Sequence, residues 1–477
     1  MATRTPAPGT RSRAPRPSGH RSSDPRSSGP RSGPGSPPAL PRQEARGAGA
    51  HPAAARGRAR GALGRAGEAV SARIARVDTP ATSFYLLATT TGVLVVLGLV
   101  MVLSSSSVES LQAGESPFAQ FTSQLLFAAL GLPLAYAASR LPVRAWKALA
   151  WPAVGLATVL LLVVVVAGDA VGGNRNWIYI GGLSLQPSEF AKLALAVWLG
   201  AVLVRKAPLL RDWKHVAVPV VPVAGGVLGL ILLGRDLGTG MVVMLVIAAA
   251  LWVAGVPLKI LLWPAAALAG LAALLVVTSP NRMQRIGDFL SGECDPQGGC
   301  YQSAHGLAAL AGGGVTGLGL GSSREKWSYL PEAHNDFIFS VIGEELGLLG
   351  TLLVLLLFGA LAVGCMRVIK RHEDPFAKVV TAGVMAWVVG QALVNMAVVL
   401  RLLPVIGVPL PLVSAGGSAL VATLLALGVV LSFARTEPGA PALLATRAGV
   451  VRRSLVVAAS PFSRRRDRRR GDARSAR

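Results

Sequence analysis

The chain is 477 residues long, 52% hydrophobic and only 15% charged, with a formal net charge of +24 at pH 7. Its apolar runs of about twenty residues have the length that crosses a hydrocarbon core, which excludes a soluble globular enzyme and identifies a polytopic membrane protein. The positive charge gathers at the ends, +11 within residues 1–80 and +9 within 435–477, where it suits anionic lipid of the cytoplasmic leaflet rather than nucleic acid.

In chain order, residues 1–60 are rich in Pro, Ser, Gly and Arg and are expected to be disordered, because such a composition buries no core. No apolar stretch precedes residue 82, so a cleaved signal peptide is not expected. Leu63, Ala66, Val70, Ile74 and Val77 recur at helical spacing among Arg65, Arg73 and Arg76. They read as a short juxtamembrane amphipathic helix on the membrane surface, or as nascent helix without a role. The expected domains are a basic cytoplasmic N-terminal tail over 1–82, a membrane domain over 83–435 and a basic cytoplasmic C-terminal tail over 436–477.

Ten apolar segments follow the first tail, at about 83–104, 118–138, 146–167, 187–204, 216–233, 239–254, 260–278, 337–364, 379–400 and 415–434. The expected fold is therefore all-α and polytopic, with ten transmembrane helices and a large structured extracellular loop, 279–336, between the seventh and eighth. An even number of spans puts both tails on one side, which the positive-inside rule makes the cytoplasm. Arg140, Arg144, Lys147, Arg205, Lys206, Arg211, Lys214, Lys259, Arg367, Lys370 and Arg371 fall on that side too. Cys294 and Cys300, in the outward loop, are expected to form a disulfide in an oxidising exterior, the alternative being two free thiols. Cys365 is expected only to pack.

Charged groups inside a bilayer are costly, so each needs a partner or a task. Glu189 and Lys192 lie three apart on one face of the fourth segment, and Asp236 in Gly234-Arg235-Asp236-Leu237-Gly238-Thr239 is the expected counter-ion of Lys192. The three read as substrate contacts or as a salt bridge tying two helices. Arg175 and Trp177 offer a cation and a sugar-stacking face, or an interfacial anchor. Asp336, Ser340 and Glu344 are spaced by four and predict a polar face lining a cavity, with Glu344 and Glu345 protonated or paired where dry.

Asp336 stands where a polar loop meets a long apolar helix. It reads as a helix cap or as a general base that takes a proton from an attacking hydroxyl. Glu332 and His334 either tune it or fix the loop, and Lys326, Arg324 and Arg282 either steady an anionic leaving group or are simply solvated. The run Leu403-Pro404-Val405-Ile406-Gly407-Val408-Pro409-Leu410-Pro411-Leu412-Val413-Ser414-Ala415-Gly416-Gly417 is apolar yet broken by proline and glycine. Such backbone survives at membrane depth only when buried in protein or lining a wet cavity, so a re-entrant turn beside the active cavity is expected. Phosphate-loop, metalloprotease, zinc-cluster and nucleophile-elbow signatures are missing from the sequence.

Four ordered motifs carry a resemblance: Gln186-Pro187-Ser188-Glu189 with Lys192; Asp236-Leu237-Gly238-Thr239; Leu330 to Ser340 followed by Gly343-Glu344-Glu345-Leu346-Gly347; and Pro409-Leu410-Pro411-Leu412-Val413-Ser414-Ala415-Gly416-Gly417-Ser418. Together they resemble the SEDS family of shape, elongation, division and sporulation proteins over about residues 83–435. The resemblance implies a peptidoglycan glycosyltransferase that polymerises lipid II at the outer face of the cytoplasmic membrane. It also implies a class B penicillin-binding protein and other divisome membrane proteins as partners, with Asp336 at the position of the family's essential aspartate. The Arg-rich tails and Ser414-Ala415-Gly416-Gly417 favour a septal member of actinobacterial kind, while Val405-Ile406-Gly407-Val408-Pro409 also resembles the elongation members. Asn176 between Arg175 and Trp177, and Gly234-Arg235 before Asp236, depart from the usual pattern.

The implied chemistry is one inverting displacement, with Asp336 taking the acceptor proton. Lys326, Arg175 or a divalent cation such as Mg or Mn would offset the departing pyrophosphate. The rival readings are a lipid II flippase, which would use Lys192, Asp236, Glu344 and Glu345 as a polar path, and a non-catalytic division scaffold.

Overall fold

The computed structural model describes residues 79–446 apart from 172–173, 181–182, 278–282, 285, 288, 290–299 and 328. The tails before residue 79 and after residue 446, the helix expected over 63–77, Cys294 and Arg282 lie outside the described residues. The described chain is mostly helical: α1 spans Thr82–Gln112, α2 Ala119–Arg140, α3 Val143–Ala167, α4 Pro187–Arg205, α5 Trp213–Leu233, α6 Leu237–Val253, α7 Leu258–Val277, α8 Tyr301–Gly312, α9 Ile338–Arg371, α10 Pro375–Val399 and α11 Gly417–Thr436. Eight of these, α1 to α5 and α9 to α11, are long and apolar enough to cross a membrane, and α6 is a shorter apolar helix of 17 residues. Inside α5, Pro219 and Pro222 lack the amide protons a regular ladder needs, and residues Val221–Gly225 widen into a π-turn there.

The helix ends follow the apolar runs except at serines. α1 continues to Gln112 instead of stopping near 104, because Ser105 Oγ donates to Met101 O at 2.8 Å and Ser106 Oγ to Val102 O at 2.7 Å. Hydroxyls satisfied within the helix no longer act as breakers.

One element corrects the all-α expectation. Between α3 and α4 the chain forms a three-stranded antiparallel sheet, β1 Asp169–Val171, β2 Asn174–Ile180 and β3 Leu183–Leu185, in the order β1-β2-β3. Asp169 pairs with Trp177 and Ile178 with Leu185, with a bulge after Asp169. The sheet delivers the chain to Pro187, whose fixed φ suits the first turn of α4.

Burial ranks the helices. The apolar window of α4 is 89% buried, that of α11 78% and that of α10 67%, against 28% to 33% for α2, α3, α5 and α9. The first three therefore form the interior, and the others present broad apolar faces outward. α2 packs along α11, α1 along α9, α3 along α4, and α6 along α10. Glycines allow the closest approaches. A Cβ on Gly98 of α1 would meet Leu412 O at 2.4 Å, and one on Gly417 of α11 would enter the Phe127 ring of α2.

α9 is broken near its N-terminal end. Gly347 takes φ 69° and ψ −163° inside it, a conformation open to glycine. Two helical hydrogen bonds are replaced by bonds to the segment following α8. Leu348 N donates to Gly314 O and Leu318 N to Glu344 O, both at 2.9 Å; Leu349 N donates to Val315 O at 3.2 Å and Gly319 N to Glu345 O at 3.0 Å. The four backbone groups of those two helical bonds are thus paired again.

Candidate active site

Asp336 sits in the turn immediately before α9, half-buried. The helix's N-cap position belongs to Phe337, whose own side chain makes no cap bond. Two elements fix the backbone of its turn, α10 and the broken apolar run. Asn395 Nδ2, on α10, donates to Asp336 O at 2.7 Å and to Val408 O at 2.8 Å. Ser414 Oγ donates to Asn335 O at 2.7 Å and accepts from Leu410 N at 2.8 Å. Ala415 N donates to His334 O at 3.0 Å. The broken apolar run thus lies directly beneath the Asp336 turn, and a Cβ built on Gly407 would stand 3.5 Å from Asp336 Oδ2.

The broken run is itself tied to the interior. Gln391 Nε2 donates to Pro409 O at 2.9 Å, and Gln124 on α2 donates to Ser414 O and accepts from Gly416 N, both at 3.2 Å. Gln391 Oε1 accepts from Lys192 Nζ at 3.2 Å and from Trp387 Nε1 at 3.1 Å. Lys192 Nζ also lies 2.8 Å from Glu189 Oε1 and 4.6 Å from the centre of the Trp387 ring. A narrow cleft lies here, with a volume of only about 10 Å³ and lined by Glu189, Gln391, Ser414 and Gly416 among others.

The expected Lys192–Asp236 pair does not form. Asp236 caps α6 through Thr239 N at 2.9 Å, and its other oxygen accepts from Asn176 Nδ2 at 3.0 Å and Gln186 Nε2 at 3.2 Å. Neutral amide donors satisfy that carboxylate, so Lys192 turns to Glu189 on its own helix. Arg175 and Trp177 stand on β2; the Arg175 side chain is exposed, donating to Val165 O at 3.4 Å, and its backbone N bonds Gly234 O at 3.0 Å.

The polar face expected along α9 is present, but the loop fills it. Ser340 is fully buried against Gly306 of α8. Glu344 accepts from Ser323 Oγ and, at 2.8 Å, from Arg324 N. Glu345 accepts from Ser104 Oγ at 2.6 Å and pairs with Lys326 Nζ at 3.1 Å. Lys326 also donates to Gly321 O at 2.8 Å and is buried. It anchors the loop, a correction to the alternative that it is simply solvated. Glu332, exposed and with φ 56°, accepts at its carbonyl from Asn335 N and Phe337 N and closes the turn.

His334 adds a titratable tie. Its Nδ1 is 2.7 Å from Oε2 of Glu109, at the end of α1. Burial opposes its charged form, but the contact and charge of Glu109, with the charges of Glu332 and Asp336, outweigh that and raise its pKa above 6.5. A raised folded pKa means the tie is complete below the unfolded value and is lost as pH rises through the folded one. Melting temperature is therefore expected to fall as pH climbs past neutral by more in the wild type than in Glu109→Gln. Parallel profiles would remove the tie.

Sequence reasoning missed Gln124, Asn176, Gln186, Gln391, Asn395 and Glu109. For Gln391 and Asn395 a signal existed: two amides four apart on an apolar helix share one face. Cys300 is disulfide-bonded and Cys365 is a buried free thiol. Among the described residues no group of three or more His, Cys, Asp or Glu could hold a metal ion.

A family model described as cell cycle protein, covering FtsW, RodA and SpoVE, matches residues 84–438. The chain is 40% identical over 372 residues to the probable peptidoglycan glycosyltransferase FtsW of Mycobacterium tuberculosis, covering 78% of this chain and 71% of that one. It is 35% identical over 356 residues to stage V sporulation protein E of Bacillus subtilis, covering 73% and 96%. Among solved structures it is similar to a chain of a peptidoglycan synthase complex that coordinates polymerization and crosslinking, with TM-score 0.61, 31% identity and coverage of 73% and 96%. It is also similar to the rod shape determining protein RodA of Thermus thermophilus, with TM-score 0.56, 30% identity and coverage of 74% and 96%.

Proposed function

The chain belongs to the family of cell cycle proteins that comprises FtsW, RodA and SpoVE, and from that premise we propose that it is a peptidoglycan glycosyltransferase of the FtsW kind. It polymerises lipid II during septal wall synthesis. The observation that carries this reading is the Asp336 carboxylate over Gly407, its backbone clamped by Asn395 and its turn by Ser414 and Ala415. A base held this firmly meets the geometric demand of proton transfer.

In the proposed reaction Asp336 takes the proton from an acceptor sugar hydroxyl as its oxygen attacks the anomeric carbon of a lipid-linked glycan. The bond to the polyprenyl pyrophosphate breaks in the same step, with inversion. Arg175 is an exposed cation on the sheet beside the start of α4, and Gln186 N on that start bonds Ser418 Oγ, which puts Arg175 at the same end of the bundle as Asp336. It therefore serves the departing anion better than Lys326. Ten spans, α1 to α7 and α9 to α11, put the Asp336 end outside and both tails in the cytoplasm. Both lipid tails then stay in the bilayer throughout. A class B penicillin-binding protein is the proposed partner, supported by the likeness to the synthase complex.

The test is polymer formation from purified lipid II by the full chain in liposomes, with and without that partner. Glycan strands are the expected product. None under either condition would overturn the assignment in favour of flipping or scaffolding.

A further inference from the structure

At the end of the bundle opposite Asp336, two arginines meet where α2 and α11 finish. Arg435 Nη1 donates to Ser139 O at 3.3 Å, which brings it beside Arg140. Arg140 Nη2 donates to the Tyr136 hydroxyl at 2.5 Å, and its guanidinium lies 4.7 Å from that ring's centre. The two charges repel each other, and neither has an acidic partner among the described residues. Each guanidinium carries five donors, so most remain available. Like charges held together without a counter-ion call for an anion.

The surface next to the arginines says what the anion is attached to. Tyr136, Leu132 and Leu125 share the Arg140 face of α2 and are 61%, 46% and 45% exposed. They form one apolar track leading from the arginines along the helix. A free phosphate has no use for such a track, whereas an acyl chain does.

We propose that Arg140, Arg435 and Tyr136 bind the phosphate of an anionic phospholipid whose acyl chain lies along Leu132 and Leu125. This site is built into the helices and is separate from the basic tails.

Native mass spectrometry of the delipidated full-length protein tests this. It would be titrated with phosphatidylglycerol or with phosphatidylcholine of the same chains, as wild type, Arg140→Gln, and Arg140→Gln/Arg435→Gln. Retention of phosphatidylglycerol is expected to fall about five-fold for each arginine lost, while phosphatidylcholine stays weak and unchanged. The tails keep their charge in every variant, so the difference reads this site alone. Excess inorganic phosphate should leave the adduct in place; displacement would make the ligand free phosphate and overturn the lipid. Equal retention by wild type and variants, or of both lipids, would also overturn it. Arg140 is exposed and bonds only Tyr136, so the single variant decides the matter should the double variant fail to fold.

Discussion

Asp336→Asn is expected to stop glycan polymerisation while leaving the protein folded. The bonds that hold this position run to its backbone carbonyl and to the carbonyls of His334 and Asn335, and an isosteric amide leaves them alone. It cannot take a proton, however. A positioned base contributes on the order of 10² to 10⁴ in rate, and in a single displacement no other carboxylate in the turn is placed to replace it, since Glu332 points its carbonyl inward and is itself exposed. The measurement is strand formation from lipid II, with melting temperature as the control on folding. Normal strands from the variant would remove Asp336 as the base and leave the fold without its mechanism.

Lys192→Met is expected to cost more stability than any other single change considered. Lys192 and Glu189 have side chains 1% and 5% exposed, and Lys192 is the charge beside Glu189. Removing one member of a buried pair strands the other, at about 3–5 kcal/mol. The same change releases Gln391, which holds Pro409 of the run beneath Asp336, so polymerisation falls with stability. Glu189→Gln combined with Lys192→Met should regain much of the loss, because a neutral amide tolerates the dry site. A thermal melt in detergent separates the cases. If the single variant melts with the wild type, the pair is not buried as described.

Length and hydropathy made the spans legible, because a run of twenty apolar residues has few alternatives, and the eighth-segment motif placed Asp336 at a helix start. Contacts across helices were less legible. The i,i+3 spacing put Glu189 and Lys192 on one face, yet Asp236 was expected as the counter-ion of Lys192; Asp236 found its donors on a strand, Asn176, and in a loop, Gln186, that no periodicity connects to it. The sheet was missed because three- and seven-residue strands between apolar runs read as loop. The serines of α1 read as an end until their hydroxyls were seen returning to the helix or reaching Glu345. Attention to charge alone also passed over the amides, which hold the broken run because they donate and accept without the cost of a buried ion.

The break at Gly347 constrains how the protein is made. The groups that pair with Leu348 N, Leu349 N, Glu344 O and Glu345 O belong to residues 314–319, which leave the ribosome before α9. An α9 released into lipid by itself would carry either a straight ladder that forbids the native break, or open amides and carbonyls costing several kcal/mol each in hydrocarbon. Pairing these groups requires residues 314–319 docked against α9, so the break and the segment before it form as one unit and neither is stable in hydrocarbon without the other.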